Sequence, residues 1–403
     1  MRIENIQVVN LVAEYPGRNG FQYAGGTATG RVSTLVKVTT DNGVEGWGSA
    51  YSYPDVVRVI IERHLTPHLL GSDPREVELL WEKMYRLTRW YGRKGAAMSA
   101  LGALDIAFWD LRGKSEGKPV YKLLGGKSNK VPAYASGLLW HDDMSNLEKE
   151  ASQHRSNGFK RMKMRLGRGE EYDEAALKAV RRGAKDGDIM VDGSHRYTLG
   201  TAEKLATLLA QEKVFWFEEP FAPEDIDSYI ILSARVPIPI AAGENDFGLQ
   251  GFREMLRARA IGIAQPDACR VGGITECLRV GRMAAELGVR IAPHTWSDAV
   301  ALIANAHVVA ALPNGVTVEV DQTGNPMIDK LLTEPLRVTD GLLRLSDEPG
   351  LGITPDFAVM NRLTLPPEQG VPDGNYSDLV FGSQYYSEPP PYAVSRLHNL
   401  VRK

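Results

Sequence analysis

Three carboxylates recur at a constant spacing in the middle of the chain and carry the clearest chemical signal in the sequence. Asp192 ends the run IMVD, Glu218 ends FWFE and Glu244 follows IAAG, with 26 residues from each acid to the next. If each acid ends one strand of a parallel array, the three side chains converge at the same end. Anions held so close need a cation, and ligation by oxygen alone suits Mg²⁺. The spacing therefore predicts a Mg²⁺ site, although any single acid could instead cap a helix.

A histidine and two further acids continue this spacing along the chain. Asp267 lies in AQPDACRVGG, His294 in APHTWS and Glu319 in VTVEVDQ, at intervals of 23, 27 and 25 residues after Glu244. A carboxylate beside an imidazole fixes its tautomer and raises its basicity, so we expect Asp267 and His294 to form a general-base pair. Glu319 is expected to hydrogen-bond a substrate or to act as an acid. The alternative for Glu319 is a salt bridge with Arg290 or another cation near it.

Two cations stand close together in the segment RMKMRLG, residues 161–167. Side chains two residues apart in a strand share a face, so Lys163 and Arg165 point the same way. Two cations are therefore held side by side on one face, close to the end of the strand.

These residues lie at the ends of short apolar runs that alternate with amphipathic helical stretches. The runs, from about Val131 to Thr339, are VPAYASG, RMKMRLG, DIMVDGS, VFWFEEP, IPIAAGE, GIAQPDA, RIAPHTW and VTVEVDQ. Eight strands separated by helices predict parallel pairing and an α/β fold of the closed (β/α)8 type. The acids, the histidine and the lysine would then surround the mouth of the barrel, where barrel active sites lie.

The first part of the chain has a different pattern of predicted strands and helices. Strand-like runs joined by the turn Asn42-Gly43 precede helical stretches, one of which is apolar nearly all round and is expected to be buried. This pattern predicts an α+β domain at 1–130, with candidate lid loops at 15–30 and 49–55. The barrel is expected at 131–339. A segment at 340–403 is expected to return to the first domain and to end in a proline- and aromatic-rich tail.

Composition limits the classes of function that remain. The 403 residues include 47 basic and 50 acidic side chains, and the net charge of -3 gives no general attraction to nucleic acid or to anionic membranes. No apolar run approaches the roughly 20 residues of a membrane span, and the chain begins like a strand, so a cytoplasmic protein is expected. Cys269 and Cys277 are the only cysteines, and their spacing predicts neither a zinc site nor a disulfide framework.

The motifs KMR, VDGSH, WFEEP, AAGEN, QPDACRVGG, APHTW and EVDQTGNP together resemble the enolase superfamily, in its mandelate racemase subgroup. The resemblance spans nearly the whole chain and implies a modified barrel with an α+β capping domain. It implies one Mg²⁺ per subunit, with Asp192, Glu218 and Glu244 as ligands. The implied reaction removes a proton next to a substrate carboxylate, with His294 and Asp267 as the base. Lys163 would stand beside that carboxylate, and Glu319 would donate a hydrogen bond to it.

The chain departs from this family's pattern at two places. Many relatives have Lys-x-Lys on the second strand, with the second lysine as a base, whereas this chain has Arg165, which stays protonated. One base favours dehydration of a hydroxy acid to a 2-keto-3-deoxy acid over racemisation by two bases. The second departure is DGSH in place of Asp-x-Asn, where Ser194 replaces the amide in part and His195 is a candidate acid or substrate contact, or else an ordinary loop histidine.

The expected substrate is an acid sugar, an aldonic or aldaric acid. Arg89 and Tyr91 in RLTRWYGRKG are candidate contacts for it, because polar and cationic groups suit a polyhydroxylated acid. A sugar-acid lactone cycloisomerase or an epimerase of the same subgroup is the alternative, and a non-catalytic sugar-binding or assembly protein is the alternative from another class. A phosphosugar aldolase would need a Gly-rich phosphate site that HTWSDAV and VDQTGNP do not offer. We expect a homo-oligomer, with no nucleic-acid or membrane partner.

Overall fold

The computed structural model describes residues 1–18, 20–23 and 26–372. Its N-terminal strands are β1 (Ile3–Glu14), β2 (Phe21–Tyr23), β3 (Gly26–Ala28), β4 (Gly30–Thr40) and β5 (Glu45–Ala50). Strands β1, β4 and β5 form an antiparallel sheet in that order, and β2 pairs with β3 in a separate hairpin. The predicted turn joins β4 to β5, and Gly43 takes the left-handed conformation, with φ of 78°, that such a turn requires.

Helices follow this sheet in the capping domain. A 3-10 turn covers Pro16–Arg18, and a π-helical stretch, Ile60–Leu65, joins the first two α-helices. The α-helices are α1 (Pro54–Val59), α2 (Thr66–Leu69), α3 (Val77–Thr88), α4 (Ala96–Glu116) and α5 (Val120–Leu123).

A barrel of parallel strands follows. Its strands are β6 (Lys130–Ser136), β7 (Arg161–Arg165), β8 (Asp188–Asp192), β9 (Phe217–Glu218), β10 (Ile240–Ala242), β11 (Ile263–Ala264), β12 (Arg290–Ile291) and β13 (Val318–Asp321). Each pairs with its neighbour in sequence from β6 to β12, and β13 pairs with β6. Between β12 and β13 the ring is closed by a bridge from Ile291 to Gly315. All the predicted barrel strands are thus present, and the predicted α/β barrel fold is confirmed.

Helices connect these strands around the outside of the barrel. They are α6 (Met144–Ser156), α7 (Glu170–Ala184), α8 (Leu199–Gln211), α9 (Ile226–Arg235), α10 (Gly248–Arg257), α11 (Ala268–Val271), α12 (Gly273–Glu286) and α13 (Ala299–Ala311). The short helix α14 (Pro326–Asp329) follows β13. Inside the barrel, one layer of buried side chains comprises Tyr134, Met190, Trp216, Ala241, Ile263 and Ala292.

The chain adds to the barrel sheet before it returns to the capping domain. A hairpin of β14 (Val338–Thr339) and β15 (Leu342–Arg344) pairs antiparallel with β6. Helix α15 (Phe357–Leu363) then packs on β1, and the backbone N–H of Leu365 donates to the carbonyl of Asn10. The first residues expected to return to the capping domain therefore extend the barrel sheet. Most of the expected aromatic tail, from residue 373 on, lies outside the described residues.

Helix α4 joins the two domains, and this explains why it is apolar nearly all round. It packs against β4 and β5 on the capping side and against α11 and α12 on the barrel side. At Gly48 of β5 the strand runs so close to α4 that an added Cβ would lie 1.9 Å from the carbonyl oxygen of Ala103.

Within the described part of the chain, no helix combines the length and the apolar character needed to cross a membrane.

Candidate active site

The three predicted metal ligands lie at the ends of neighbouring barrel strands. Asp192 is the last residue of β8, Glu218 is the last residue of β9, and Glu244 lies two residues beyond β10. Each offers a carboxylate oxygen, and these three oxygens lie within 4.8 Å of one another. The parallel register pairs Asp192 with Glu218 directly, so an equal spacing along the chain becomes a cluster in space.

The carboxylate cluster fits a divalent metal ion. Burial and nearby charges raise the pKa of Glu218 to about 8 and that of Glu244 to about 7, because the acids crowd one another in a site shielded from water. Glu244 Oε2 is buried and makes no hydrogen bond to any described residue. Hard oxygen donors with one unsatisfied buried oxygen suit Mg²⁺.

Lys163 and Arg165 both face this cluster from β7, as their shared strand face predicts. Lys163 Nζ lies 2.5 Å from Glu218 Oε1 and 3.8 Å from Asp192 Oδ2. Arg165 Nη1 donates to Asp192 Oδ2, and its guanidinium lies 5.3 Å from the centre of the Trp296 ring. Although burial opposes ionisation, Arg165 and Lys163 hold the pKa of Asp192 at about 2. Despite its own burial, the surrounding acids raise the pKa of Arg165, so it remains a cation turned toward the cluster.

His294 and Asp267 form a buried pair on the next strands. His294 Nδ1 lies 2.9 Å from Asp267 Oδ2, so Nδ1–H donates, and Nε2 faces the cluster at 3.7 Å from Glu244 Oε1. Burial opposes a charge on this imidazole, but Glu244, Asp267 and Glu319 raise the pKa of His294 to about 9. The pairing orients one ring nitrogen toward the position where metal and substrate would meet.

Two side chains that sequence reasoning missed hold this pair in place. Asn305 on α13 donates from Nδ2 to Asp267 Oδ1 at 3.0 Å and to the His294 carbonyl at 2.9 Å. Its Oδ1 accepts from the Ala268 backbone N–H at 2.9 Å. Tyr51 of the capping domain stacks on the His294 ring, with centroids 6.1 Å apart and planes 23° apart. Tyr51 falls in the predicted lid loop 49–55, and that position was the only sequence signal for its role.

Glu319 lies inside the site and pairs with the nearby cation Lys163 rather than with Arg290. Its Oε1 is 2.9 Å from Lys163 Nζ, and its Oε2 accepts from the Thr295 backbone N–H at 2.9 Å. Although burial opposes ionisation, Lys163 and His294 hold the pKa of Glu319 at about 2, so it accepts rather than donates hydrogen bonds in this structure. The alternative prediction of a salt bridge between Glu319 and Arg290 is wrong. Arg290 begins β12 and therefore lies at the opposite end of the barrel, over the Phe215 ring.

His195 lies at the rim of the cluster in an ion pair. Its Nε2 is 2.5 Å from Glu219 Oε2, and its side chain is 33% exposed. Burial opposes its charge, but Glu219 raises the pKa of His195 to about 9. Ser194, in the position where relatives have an amide, donates from its backbone N–H and its hydroxyl to Asp192 Oδ1, at 2.7 and 3.1 Å. The serine therefore supports Asp192, one of the predicted metal ligands.

Arg89 and Tyr91, the candidate substrate contacts of the capping domain, are not brought to the cluster. The Tyr91 hydroxyl contacts His64 Nδ1 at 2.7 Å with the residue 56% exposed, and the Arg89 guanidinium lies over the Trp90 ring. Helix α3 packs against α4 and α12, and its C-terminal end lines a pocket together with Asp246, from the loop that follows β10. The role of these two side chains as substrate contacts stays a prediction.

Two further unpredicted residues hold Glu218 from below. Trp216 Nε1 donates to Glu218 Oε2 at 2.9 Å, and Gln265 Nε2 donates to the same oxygen at 2.8 Å. Both are fully buried inside the barrel. The sequence contained a signal for both residues. Each lies two residues before a predicted site residue, in FWFE and AQPD, and hence on the same strand face, one layer deeper in the barrel.

Comparisons with known proteins agree with this geometry. The sequence model described as "Mandelate racemase / muconate lactonizing enzyme, N-terminal domain" matches residues 6–125, and that described as "Enolase C-terminal domain-like" matches residues 146–359. The chain is 36% identical to the arabinonate dehydratase of Saccharolobus solfataricus, over 79% of this chain and 87% of that protein. It is 35% identical to the D-galactarolactone cycloisomerase of Agrobacterium fabrum, over 83% of this chain and 92% of that protein.

A solved structure with metal and ligand is also similar. The L-talarate/galactarate dehydratase of Salmonella typhimurium, liganded with Mg and L-lyxarohydroxamate, superposes with a TM-score of 0.83 at 28% identity. The match covers 91% of this chain and 93% of that one. The matching family models, the fold and the carboxylate cluster therefore all indicate a site for a divalent metal ion at the mouth of the barrel.

Proposed function

Because the chain belongs to the enolase superfamily, in its mandelate racemase/muconate lactonizing enzyme family, we propose that it is a Mg²⁺-dependent dehydratase of a sugar acid, either aldonic or aldaric. Asp192, Glu218 and Glu244 would hold the metal, and their clustered, partly unsatisfied oxygens support that assignment. When bound, Mg²⁺ supplies Lewis-acid stabilisation of the negative charge that gathers on the substrate carboxylate. Lys163 adds a second positive charge beside it.

His294 is the proposed base. Asp267 fixes Nδ1 as the donor, and a cation held by Glu244 would offset the carboxylate charge that raises the pKa of His294. The neutral ring then accepts, at Nε2, the proton bonded to the carbon next to the carboxylate. The electron pair of that C–H bond forms a carbon–carbon double bond as the C–O bond of the β-hydroxyl breaks. The departing hydroxyl takes up a proton, from His294 or from another group, and leaves as water, and the resulting enol rearranges to a 2-keto-3-deoxy acid. Glu319, paired with Lys163, holds the ammonium on the side of the substrate carboxylate.

The observation that carries dehydration over epimerisation is the position of Arg165. Epimerisation by two bases needs a second proton acceptor opposite His294, and the family's usual place for it is occupied by a guanidinium. Arg165 is turned into the site and paired with Asp192, and the acids around it raise its pKa. A permanently protonated group cannot remove a proton. The site therefore favours a reaction that needs one base.

The test is an assay of the purified protein with Mg²⁺ and a panel of aldonic and aldaric acids for 2-keto acid. We expect product from at least one member of the panel and none when EDTA replaces Mg²⁺. A matched preparation with Asp192→Asn should be inactive, because it removes one metal ligand and the partner of Arg165. Absence of 2-keto acid across the panel, with epimerised acid recovered instead, would refute dehydration.

A lactone cycloisomerase is the second candidate, supported by the 35% identity to the galactarolactone enzyme. The same base would remove the same kind of proton, but the leaving group would be the ring oxygen, so the product is an isomer and no water is released. Parallel assays with each acid and its lactone separate the two. Turnover of lactones with no turnover of open-chain acids would favour the cycloisomerase.

A further inference from the structure

Two side chains lie beneath the carboxylate cluster and donate hydrogen bonds to one of its members, Glu218. We propose that Trp216 and Gln265 are positioning residues that hold Glu218 as a one-oxygen ligand and so favour Mg²⁺ over Ca²⁺. This inference rests on the proposed metal site but not on the proposed reaction. Neither residue would touch the metal or the substrate.

The geometry assigns the two oxygens of Glu218 to different tasks. Oε2 accepts both the Trp216 indole N–H, at 2.9 Å, and a Gln265 amide hydrogen, at 2.8 Å. Oε1 points the other way, to Lys163 Nζ at 2.5 Å. Since Lys163 also has Glu319 at 2.9 Å, the ammonium can remain paired when Oε1 turns to a metal.

The composition of the barrel interior argues that these two donors are there for the acid. Apart from Tyr134, the other members of the layer that contains Trp216 are apolar, namely Met190, Ala241, Ile263 and Ala292. Gln265 leaves its own Oε1 buried with no hydrogen bond to a described residue, which is unfavourable in a protein interior. A core built for stability alone would place an apolar side chain at this position, so the amide is retained for the bond to Glu218.

A carboxylate held this way discriminates between cations by geometry. Mg²⁺ is small and takes octahedral ligands one oxygen at a time, whereas Ca²⁺ accepts more oxygens and commonly binds both oxygens of one carboxylate. Two N–H donors on Oε2 would have to be given up before Glu218 could offer both oxygens. Trp216 and Gln265 therefore hold the ligand in the form that Mg²⁺ requires.

The test measures metal affinity directly, on protein freed of metal with EDTA. Titration calorimetry gives the Kd for Mg²⁺ and for Ca²⁺ in the wild type, in Trp216→Phe and in Gln265→Met. We expect each variant to lose about 10- to 100-fold in Mg²⁺ affinity, the usual effect of removing a partner of a metal ligand, and to lose less in Ca²⁺ affinity. The control is Met190→Leu in the same buried layer, which makes no bond to Glu218 and should leave both Kd values unchanged.

A specific effect on metal binding can be distinguished from general damage to the core. Melting temperatures in EDTA identify a variant that does not fold, and Trp216→Phe, which keeps an aromatic ring in place, then decides alone. Mg²⁺ affinity equal to that of Met190→Leu would overturn the proposal, and so would an equal loss for both cations. Because binding is the readout, the result stands even if no sugar acid is dehydrated, whereas a wild type that binds no Mg²⁺ would refute the proposed metal site itself.

Discussion

The chemistry at the residue scale depends on which nitrogen of His294 faces the cluster. Asp267 accepts from Nδ1, Asn305 anchors Asp267, and Tyr51 covers the ring. These contacts leave Nε2 turned toward Glu244. The proposed base is therefore oriented by neighbours from the barrel and from the capping domain without any contribution from a substrate.

Replacing this histidine should stop the reaction and spare the metal site. We expect His294→Asn to lower turnover at least about 10²-fold, because the amide can still bond Asp267 but cannot accept a proton. The rise in melting temperature produced by Mg²⁺ should stay as in the wild type, since the three carboxylates are untouched. Turnover within a fewfold of the wild type would remove His294 from the role of base.

Arg165 offers a second test at the same scale. We expect Arg165→Lys to restore the Lys-x-Lys pattern and thus a group that can lose its proton opposite His294. Substrate recovered from this variant should contain the epimer at the carbon next to the carboxylate, whereas substrate recovered from the wild type should not. NMR of the recovered acid provides the measurement. If neither protein forms the epimer, the identity of residue 165 does not decide between the two reactions.

At the element scale, the position of side chains at the strand ends could be predicted from the sequence. The position of side chains that lie in a helix or directly after one could not. The runs that contain Asp192, Glu218 and His294 are short, apolar and regularly spaced, and parallel pairing leaves one arrangement for their last residues. Arg89 and Tyr91 follow α3, whose direction is set by packing against α4 and α12, and no local pattern encodes that packing. Asn305 was equally hidden, because a buried asparagine inside an apolar helix shows its role only through its partners.

A contact between elements joins the two domains beside the site. Asp298 caps α13 by accepting from the backbone N–H groups of Val300 and Ala301, and its other oxygen accepts from Ser33 of β4 and Ser49 of β5. All of these partners are buried. One carboxylate thus fixes the start of a barrel helix and the ends of two capping strands.

Asp298→Ala should therefore cost more than the loss of an ordinary helix cap. We expect the free energy of unfolding to fall by about 2–4 kcal/mol, from the lost cap together with two serine hydroxyls left buried without this partner. Urea unfolding measures the change. The matched control is Asp143→Ala at the exposed cap of α6, for which a smaller loss is expected. Equal losses in the two variants would show that the bonds to Ser33 and Ser49 add nothing.

At the scale of the whole molecule, a buried histidine links the capping domain, the barrel and the C-terminal segment. His307 on α13 accepts the Tyr121 backbone N–H at Nδ1, at 3.0 Å, and donates from Nε2 to the Leu351 carbonyl at 3.2 Å. Burial lowers the pKa of His307 to about 4 from its ordinary value of 6.5. The neutral ring is therefore the form that the folded protein requires.

This shift predicts how stability changes with pH. The unfolded chain binds a proton at His307 below pH 6.5 and the folded chain does not until about pH 4, so stability falls as the pH is lowered through that window. The full difference is about 3 kcal/mol, present above pH 6.5 and lost toward pH 4. Urea unfolding of the wild type and of His307→Gln across pH 4–7 measures it. The variant should show a shallower pH dependence, and parallel curves would contradict the prediction.

The central claim, a one-base dehydration that needs Mg²⁺, is tested most directly by following the reaction of a sugar acid in D2O by ¹H NMR. We predict a 2-keto-3-deoxy acid that carries one solvent deuterium at the carbon that lost the hydroxyl, formed with Mg²⁺ and absent from His294→Asn. Solvent deuterium and an inverted configuration at the carbon next to the carboxylate, with the hydroxyl retained and no keto acid formed, would contradict it.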